Sequence, residues 1–216
     1  MILYRVVHAL VFALCRVLFR VRIRGREKVP STGVYIVAPT HRSILDIPFS
    51  AFTTRRRLRF MAKQELYESK LGARVWSALG GIPVERGSAT ARSALKAIRA
   101  ALEAGEPAAV FPEGTRRHGP EVTDLFDGAA YLAVKLGIPL VPVGIGGSEE
   151  ILASGKTLPR LRRVAVVVGD PIYPPPDAST RKRADLIALT ATLQQSLQSL
   201  FYEAMRVAGY QPGPPT

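Results

Sequence analysis

Short apolar runs alternate with longer stretches of helical periodicity along most of the chain. Several runs have the length and composition of buried strands, and some are bounded by glycine or proline: residues 34–39, 59–62, 81–84, 108–112, 140–144 and 164–169. Helical spacing of apolar residues predicts helices beginning near Leu45, from Ser88 to Gly105, from Asp127 to Leu136 and from Thr180 to Ala208. This alternation predicts an α/β domain with a mostly parallel central sheet flanked by helices, whose functional residues lie at strand ends.

The first 20 residues have the pattern of an amphipathic helix. Their polar members fall within about a third of the helix circumference at about 100° per residue: Arg5, His8, Arg16 and Arg20. No uninterrupted apolar run approaches the roughly 20 residues that a membrane span needs, so a helix lying in the membrane interface is predicted. A helix packed on the domain is an alternative. A signal peptide is disfavoured because Arg16 and Arg20 interrupt the region of the cleavage site.

The charge of the chain requires an anionic partner. Thirty lysines and arginines against seventeen acidic residues give a formal net charge of +13, which suits nucleic acid or anionic lipid. Basic residues just after an apolar N-terminus typically meet phospholipid head groups, which favours lipid: Arg16, Arg20, Arg22, Arg24, Arg26 and Lys28. Nucleic-acid binding is not expected, because the aromatic residues form no stacking pattern among the arginines.

Length and composition indicate one folded domain with short additions. The predicted organisation is an amphipathic helix with a basic segment at residues 1–28, the α/β domain at 29–210 and a flexible tail at 211–216. The single cysteine, Cys15, excludes an intrachain disulfide framework and a cysteine-based metal cluster. No metal site is predicted.

His41 and Asp46 are the first candidates for chemistry. Five residues along a regular helix place two side chains about 140° apart, so these two meet only if His41 lies in a loop before a helix. The predicted strand, loop and helix supply that context. An imidazole with a carboxylate on one ring nitrogen takes a proton through the other, so the pair fits a general base acting on a substrate hydroxyl. A hydrogen-bonded structural histidine is the alternative.

Basic residues follow three other predicted strands. The segment from Phe111 to Arg117 contains Gly114, Thr115 and two arginines, of which Arg116 is the candidate phosphate ligand. Arg86 and Lys63 occupy the same position after residues 81–84 and 59–62. Each alone is compatible with a solvated surface charge, but the repeated position predicts that they converge on one anion.

Taken together, these segments resemble the four motifs of the lysophosphatidic acid and glycerol-3-phosphate acyltransferase family, in that family's order. The resemblance covers roughly residues 35–145 and rests on four segments: His41 to Asp46 as the H-x4-D motif, Gly81 to Arg86, Phe111 to Arg116, and Ile138 to Val143. Two departures are Thr40, where relatives usually carry asparagine, and the segment from Leu125 to Gly128, where many relatives carry two lysines.

The resemblance implies roles for the candidate residues. His41 would be the general base, Asp46 its orienting partner, and Arg86 and Arg116 the ligands of the acceptor phosphate. The fourth motif would mainly line the acyl-donor or acyl-chain side. The other candidates would surround the acceptor: Lys63 near its phosphate, with Glu113, Gly114 and Thr115 shaping its site.

The same resemblance implies the reaction. A fatty acyl group would pass from acyl-CoA or acyl carrier protein, as a thioester co-substrate, to a hydroxyl of 1-acyl-glycerol-3-phosphate, giving phosphatidic acid without a metal or cofactor. The first alternative is acylation of glycerol-3-phosphate itself. The second, less favoured, is that the protein binds phospholipid without catalysis. The expected location is the cytoplasmic face of the cell membrane, as a peripheral or monotopic protein in contact with anionic lipids.

Overall fold

A computed structural model of the chain describes residues 2–84, 88–152 and 158–211. Its helices are α1 (Ile2–Leu18), α2 (Asp46–Ala51), α3 (Lys70–Leu79), α4 (Ser88–Glu103), α5 (Gly128–Leu136), α6 (Ser148–Ile151) and α7 (Arg183–Ala208). Its strands are β1 (Arg22–Arg24), β2 (Ile36–Pro39), β3 (Phe60–Lys63), β4 (Gly81–Val84), β5 (Ala108–Ala109), β6 (Leu140–Gly146) and β7 (Ala165–Val168). Short 3-10 turns lie at Arg26–Lys28 and Gln64–Tyr67.

The strands form one mostly parallel sheet. Five of them have the order β1-β7-β6-β2-β5, in which β7 is antiparallel to β6 and the other pairs are parallel. The parallel pair β3-β4 continues this sheet beyond β5 through Arg59, whose N–H donates to Pro107 O at 2.8 Å and whose carbonyl accepts from Ala109 N at 2.7 Å. The predicted fold class is therefore confirmed.

Helices cover both faces of the sheet. On one face, α7 buries a stripe that contains Leu193, Leu197 and Phe201 beside α4 and α5. Two glycines of β6 permit this close packing, since a Cβ at Gly144 would lie 2.3 Å from the backbone of Leu200, and one at Gly146 would lie 2.4 Å from Met205 N. Every residue of β2 and β6 is buried, as expected for central strands covered on both sides.

Helix α1 packs on the opposite face through one side only. Cys15 and Phe19 join the core there, and the ring of Phe12 lies 4.9 Å from that of Phe52. His8, assigned to a polar stripe by the sequence pattern, faces the domain, with Nε2 3.0 Å from Ala51 O. The other side of α1 is exposed, and most of its side chains are apolar. No helix among the described residues is long and apolar enough to cross a membrane.

Several element boundaries differ from the sequence expectation. β1 lies within residues 1–28, so the sheet already includes part of the segment that was assigned to the N-terminal addition. β5 ends at Ala109, whereas a strand to Pro112 was expected; Pro112 has no N–H to extend a ladder. α3 was not predicted. Of the expected tail at 211–216, only Gln211 lies within the described residues.

Candidate active site

His41 and Asp46 meet at the carboxyl end of β2. The chain leaves the strand at Pro39, passes His41 in a loop and begins α2 at Asp46. His41 Nδ1 lies 3.2 Å from Asp46 Oδ2, and the His41 side chain is 15% exposed while that of Asp46 is fully buried. The predicted strand, loop and helix is thus present and brings the two groups together. In the tautomer that donates Nδ1–H to Asp46, Nε2 remains available as a proton acceptor.

Asp46 is held firmly by the loop that it closes. Its Oδ2 accepts hydrogen bonds from the backbone N–H groups of Arg42 and Ser43, each at 2.6 Å. The Ser43 hydroxyl in turn donates to Leu152 O at 2.7 Å. These bonds fix the carboxylate, so the imidazole that it orients is fixed as well.

A buried ion pair joins the His41 loop to the segment after β5. The Arg42 guanidinium donates to Glu113 Oε2, and Arg42 and Glu113 are 1% and 0% exposed. Glu113 Oε1 also accepts from His41 N at 2.8 Å. Burial raises the pKa of the Glu113 carboxyl above its ordinary value, while the Arg42 guanidinium and the His41 N–H oppose that shift.

Other N–H groups of Arg42 form hydrogen bonds with backbone carbonyls of the chain that follows the third motif. Its Nε donates to Gly119 O at 3.1 Å and its Nη2 donates to Glu121 O at 2.7 Å. The guanidinium carbon also lies 4.9 Å from the ring centroid of Phe201 on α7. Arg42, to which sequence analysis assigned no role, therefore connects the loops around His41.

The imidazole also contacts the third motif directly. The rings of His41 and Phe111 lie 4.2 Å apart with planes tilted by 34°. Arg117 N donates to His41 O at 2.9 Å. The segments after β2 and β5, which are neighbours in the sheet, therefore form one unit whose surface carries His41 and the residues that follow Glu113.

His41 opens onto a groove of about 600 Å³. Several of the predicted site residues line it beside the imidazole: Lys63, Gly114, Thr115 and Arg116. Apolar side chains of α1, α2 and α3 form much of the remaining wall, including Val7, Val11, Pro48, Phe52, Trp76 and Leu79. The groove thus combines a cationic rim next to the histidine with an apolar interior. Sequence analysis missed the contributions of α1 and α3, which depend on how these helices dock.

Two of the three predicted phosphate ligands line the groove. Lys63, the last residue of β3, and Arg116 both line the groove, as the strand-end argument predicted. Arg86 lies outside the described residues, so its convergence with Arg116 stays a prediction. The Glu113 carboxylate is buried against Arg42 and does not line the groove. Glu113 therefore shapes this site through its loop, without direct contact with a bound molecule.

Gly114 permits the turn that presents Thr115 and Arg116. Its φ of 66° lies in the left-handed region, and a Cβ there would also lie 2.7 Å from the Phe126 ring. Phe126 belongs to the segment from Leu125 to Gly128, and it is 63% exposed. An apolar ring thus occupies this side of the third motif.

The fourth predicted motif does not line the groove. Residues 140–143 belong to β6 and are buried in the centre of the sheet, so the role of this motif on the acyl-donor or acyl-chain side stays a prediction. The neighbouring departure at Thr40 has a structural explanation. The Thr40 hydroxyl accepts from Ile145 N at 3.0 Å and so extends the contact between β2 and β6 past the strand end.

Among the described residues, no three histidine, cysteine, aspartate or glutamate side chains gather as a metal site would require. The ionisable groups at the groove include the oriented imidazole of His41 and the cations Lys63 and Arg116, besides Tyr4 and His8. Such a set can accept a proton and neutralise a phosphate next to an apolar chain. The fold and the site together fit an α/β enzyme whose substrate has both an anionic group and a hydrocarbon part.

Comparison with known sequences identifies the family. The sequence profile described as Acyltransferase matches residues 20–146, which is more than half of the chain. The chain therefore belongs to the acyltransferase family and is an enzyme of that class, as its motifs indicated.

Two relatives and one solved structure extend the match. A 1-acyl-sn-glycerol-3-phosphate acyltransferase from Bacillus subtilis is 28% identical over 181 residues, which cover 83% of this chain and 87% of that protein. One from Chlamydomonas reinhardtii is 29% identical over 184 residues, and the chain spans only 54% of its length. The crystal structure of the 1-acyl-sn-glycerophosphate acyltransferase from Thermotoga maritima matches with a TM-score of 0.68 at 26% identity, covering 83% of this chain and 71% of that one.

Proposed function

We propose that this enzyme transfers a fatty acyl group from a thioester to the free hydroxyl of 1-acyl-glycerol-3-phosphate, producing phosphatidic acid. The observation that carries the proposal is the position of His41, bound to Asp46 through Nδ1 and lining a groove that Lys63 and Arg116 also line. The names of the relatives from Bacillus subtilis and Thermotoga maritima support the same acceptor.

In the proposed reaction, His41 Nε2 removes the proton of the acceptor hydroxyl as the oxygen attacks the thioester carbonyl. Asp46 stabilises the imidazolium that forms, because its carboxylate stays hydrogen-bonded to Nδ1. The thiolate leaves and takes up the proton, which completes the transfer without an acyl-enzyme. A thioester is already activated, so no metal or cofactor is required, and positioning supplies much of the acceleration.

The two parts of the groove suit the two parts of the acceptor. Lys63 and Arg116 would bind the phosphate next to His41, while the apolar walls from α1 and α2 would hold a hydrocarbon chain. Arg86 would join them if the second motif folds as expected. The donor thioester, from coenzyme A or acyl carrier protein, would then approach the hydroxyl from the open side.

Substrates that reside in a bilayer favour a peripheral membrane location, for which the cytoplasmic face is proposed. The outer side of α1 provides a contact surface, because large apolar side chains remain exposed there: Val6, Leu10, Leu14 and Val17. Arg5 and Arg16 are exposed on the same helix and suit anionic head groups. The other side of this helix lines the groove, so docking would place the groove next to the lipid that it receives.

The direct test measures release of free thiol from an acyl-CoA with the purified full chain and three acceptors: 1-acyl-glycerol-3-phosphate, glycerol-3-phosphate and water. Thiol release that depends on the lysolipid, together with a product that carries two fatty acyl esters, supports the proposal. Activity on glycerol-3-phosphate alone would support the alternative acceptor. Specific binding of the lysolipid without thiol release would indicate a non-catalytic lipid-binding protein.

Arg116→Ala is expected to raise the KM for the acceptor about 10- to 100-fold and to leave that for the donor nearly unchanged. A charge-assisted hydrogen bond contributes roughly 1.5–3 kcal/mol, and the phosphate belongs to the acceptor. Steady-state kinetics with each substrate varied in turn measure both values. Arg117→Ala is the matched control, because that arginine does not line the groove and lies 3.7 Å from Asp124. Equal effects on both substrates would contradict the role.

The triple variant Val6→Ser, Leu10→Ser and Leu14→Ser is expected to lower vesicle binding at least about tenfold. Each side chain is at least half exposed, so the fold should tolerate serine, while burial of apolar area in lipid is lost. Sedimentation with phospholipid vesicles measures the change. Ile187→Ser on α7, at 50% exposure, is the control. Unchanged sedimentation of the triple variant would show that the outer side of α1 is not a docking surface.

A further inference from the structure

A second surface with the character of a membrane contact lies outside the groove and outside α1. Residues 158–163 read Leu-Pro-Arg-Leu-Arg-Arg and carry two of the most exposed large apolar side chains of the described chain. Leu158 is 82% exposed and Leu161 is 71% exposed. Leucines so exposed, and alternating with arginines, have no packing role in the domain.

Backbone hydrogen bonds attach this segment to the end of α1. Val164 N donates to Phe19 O at 3.1 Å, and Arg22 N donates to Val164 O at 3.0 Å. At the other end, Arg160 N donates to Ile151 O at 2.8 Å. The segment is therefore anchored on both sides, and its exposed side chains are held near the last turn of α1.

A cleft of about 510 Å³ separates the segment from that turn. Val17, Leu18 and Arg20 line it from the α1 side, and Leu161, Arg162 and Arg163 line it from the segment. Val17 is 75% exposed and also belongs to the outer side of α1. The apolar surface of α1 thus continues into this cleft and onto Leu161.

The charge of the cleft is strongly positive. Arg20, Arg160, Arg162 and Arg163 surround it or flank it, and none of them forms an ion pair with a described carboxylate. Glu150 is the nearby carboxylate. Burial is the main cause that raises the pKa of Tyr210 at the cleft wall, and Glu150 adds to it, while Arg162 and Arg163 act in the opposite direction. Four guanidinium groups with so little compensation call for an anionic ligand.

We propose that residues 158–163 and the end of α1 form a second membrane-contact site, with Leu158 and Leu161 in the acyl boundary and the arginines on phosphates of anionic phospholipids. Leucines between arginines match the layering of a bilayer surface, where apolar and phosphate zones lie a few ångströms apart. A nucleic acid would use the guanidinium groups but leave both leucines in water. The charge and the continuity with α1 therefore favour lipid.

The site has a consequence for orientation, which rests on the proposed function. α1 is about 25 Å long, and the groove contacts its first ten residues through Tyr4, Val7 and Val11. The second site lies at its last turn. Contacts at both ends would hold α1 parallel to the membrane surface, so that the groove stays at the interface while substrates exchange.

The test compares two variants of the full chain with vesicles of phosphatidylcholine, with and without phosphatidylglycerol. Leu158→Ser with Leu161→Ser is expected to lower sedimentation at least about tenfold on both vesicles, because apolar insertion is lost. Arg160→Gln with Arg162→Gln is expected to lower it at least about tenfold on the anionic vesicles only, with a weaker salt dependence. Ile187→Ser and Arg92→Gln are the matched exposed controls.

Acyl transfer to a detergent-dispersed lysolipid separates this proposal from the proposed function. Both variants should keep full activity in detergent and lose it on vesicles, which also shows that they fold. If the variants change vesicle binding as expected but the parental chain shows no acyl transfer, only the proposed function is overturned. Three results would overturn the second site: unchanged sedimentation of both variants, inorganic phosphate abolishing the difference between the vesicles when sodium chloride of equal ionic strength does not, or an arginine-dependent interaction with duplex DNA that ignores the leucines.

Discussion

Replacing His41 with alanine is expected to lower kcat for acyl transfer about 10²- to 10⁴-fold, which is the range that a positioned general base contributes. The imidazole is the proton acceptor that Asp46 orients at the groove. The KM values of both substrates should change little, because the side chain acts on the hydroxyl proton and not on the phosphate or the thioester carrier. Thiol release from acyl-CoA, with the lysolipid as acceptor, measures the loss.

His118→Ala is the matched control for that experiment. This histidine lies in the same loop region, with Nδ1 2.6 Å from Glu149 Oε1, but its side chain is 62% exposed and does not line the groove. It should retain the parental rate. If His41→Ala turned over as fast as His118→Ala, the histidine would be structural, which is the alternative that the sequence left open.

The pairing of His41 with Asp46 was predictable because it is local. Five residues separate the two side chains, and a strand followed by a helix leaves only a loop conformation in which they meet. The convergence of Lys63 and Arg116 on one groove was predictable for a different reason. Parallel strands place their carboxyl ends on one edge, so residues that follow such strands become neighbours.

The contacts that hold the site together were not predictable from spacing. Arg42 and Glu113 are 71 residues apart, and the sequence gives no sign that this arginine is buried. The antiparallel pairing of β7 and the presence of the three-residue β1 could not be predicted either, because strand partners are set by packing across the whole sheet. The fourth motif shows the same limit: its apolar run predicted a strand correctly, but its complete burial depends on the helices around it.

For the N-terminal helix, packing on the domain is confirmed, whereas binding at the membrane interface stays a prediction. Its apolar residues extend around most of the circumference, which left interfacial binding and packing on the domain as alternatives. Cys15 and Phe19 pack on the core, while Leu10 and Leu14 remain exposed on the other side. The charge pattern was less informative, because Arg22 and Arg24 lie on the edge strand β1, with Arg24 3.6 Å from Glu203.

Arg42→Met is expected to lower the free energy of unfolding by about 3–5 kcal/mol, the usual cost of removing one partner from a buried ion pair. Glu113 would keep a carboxylate at 0% exposure with only the His41 N–H as a close donor. The carbonyls of Gly119 and Glu121 would lose their donors as well. Urea unfolding measures the change, and Arg24→Met, which removes a surface pair with 61% and 41% exposed side chains, should cost less than about 1 kcal/mol.

The double variant Arg42→Met with Glu113→Leu separates charge from hydrogen bonding. If the stranded carboxylate causes most of the loss, removing it should recover a large part of the stability, because apolar replacement of a whole buried pair is often neutral. Activity should still fall, since the His41 N–H loses its acceptor and the loops lose their connection. A double variant no more stable than Arg42→Met would instead assign the loss to unpaired hydrogen-bonding groups, namely the Gly119 and Glu121 carbonyls and the His41 N–H.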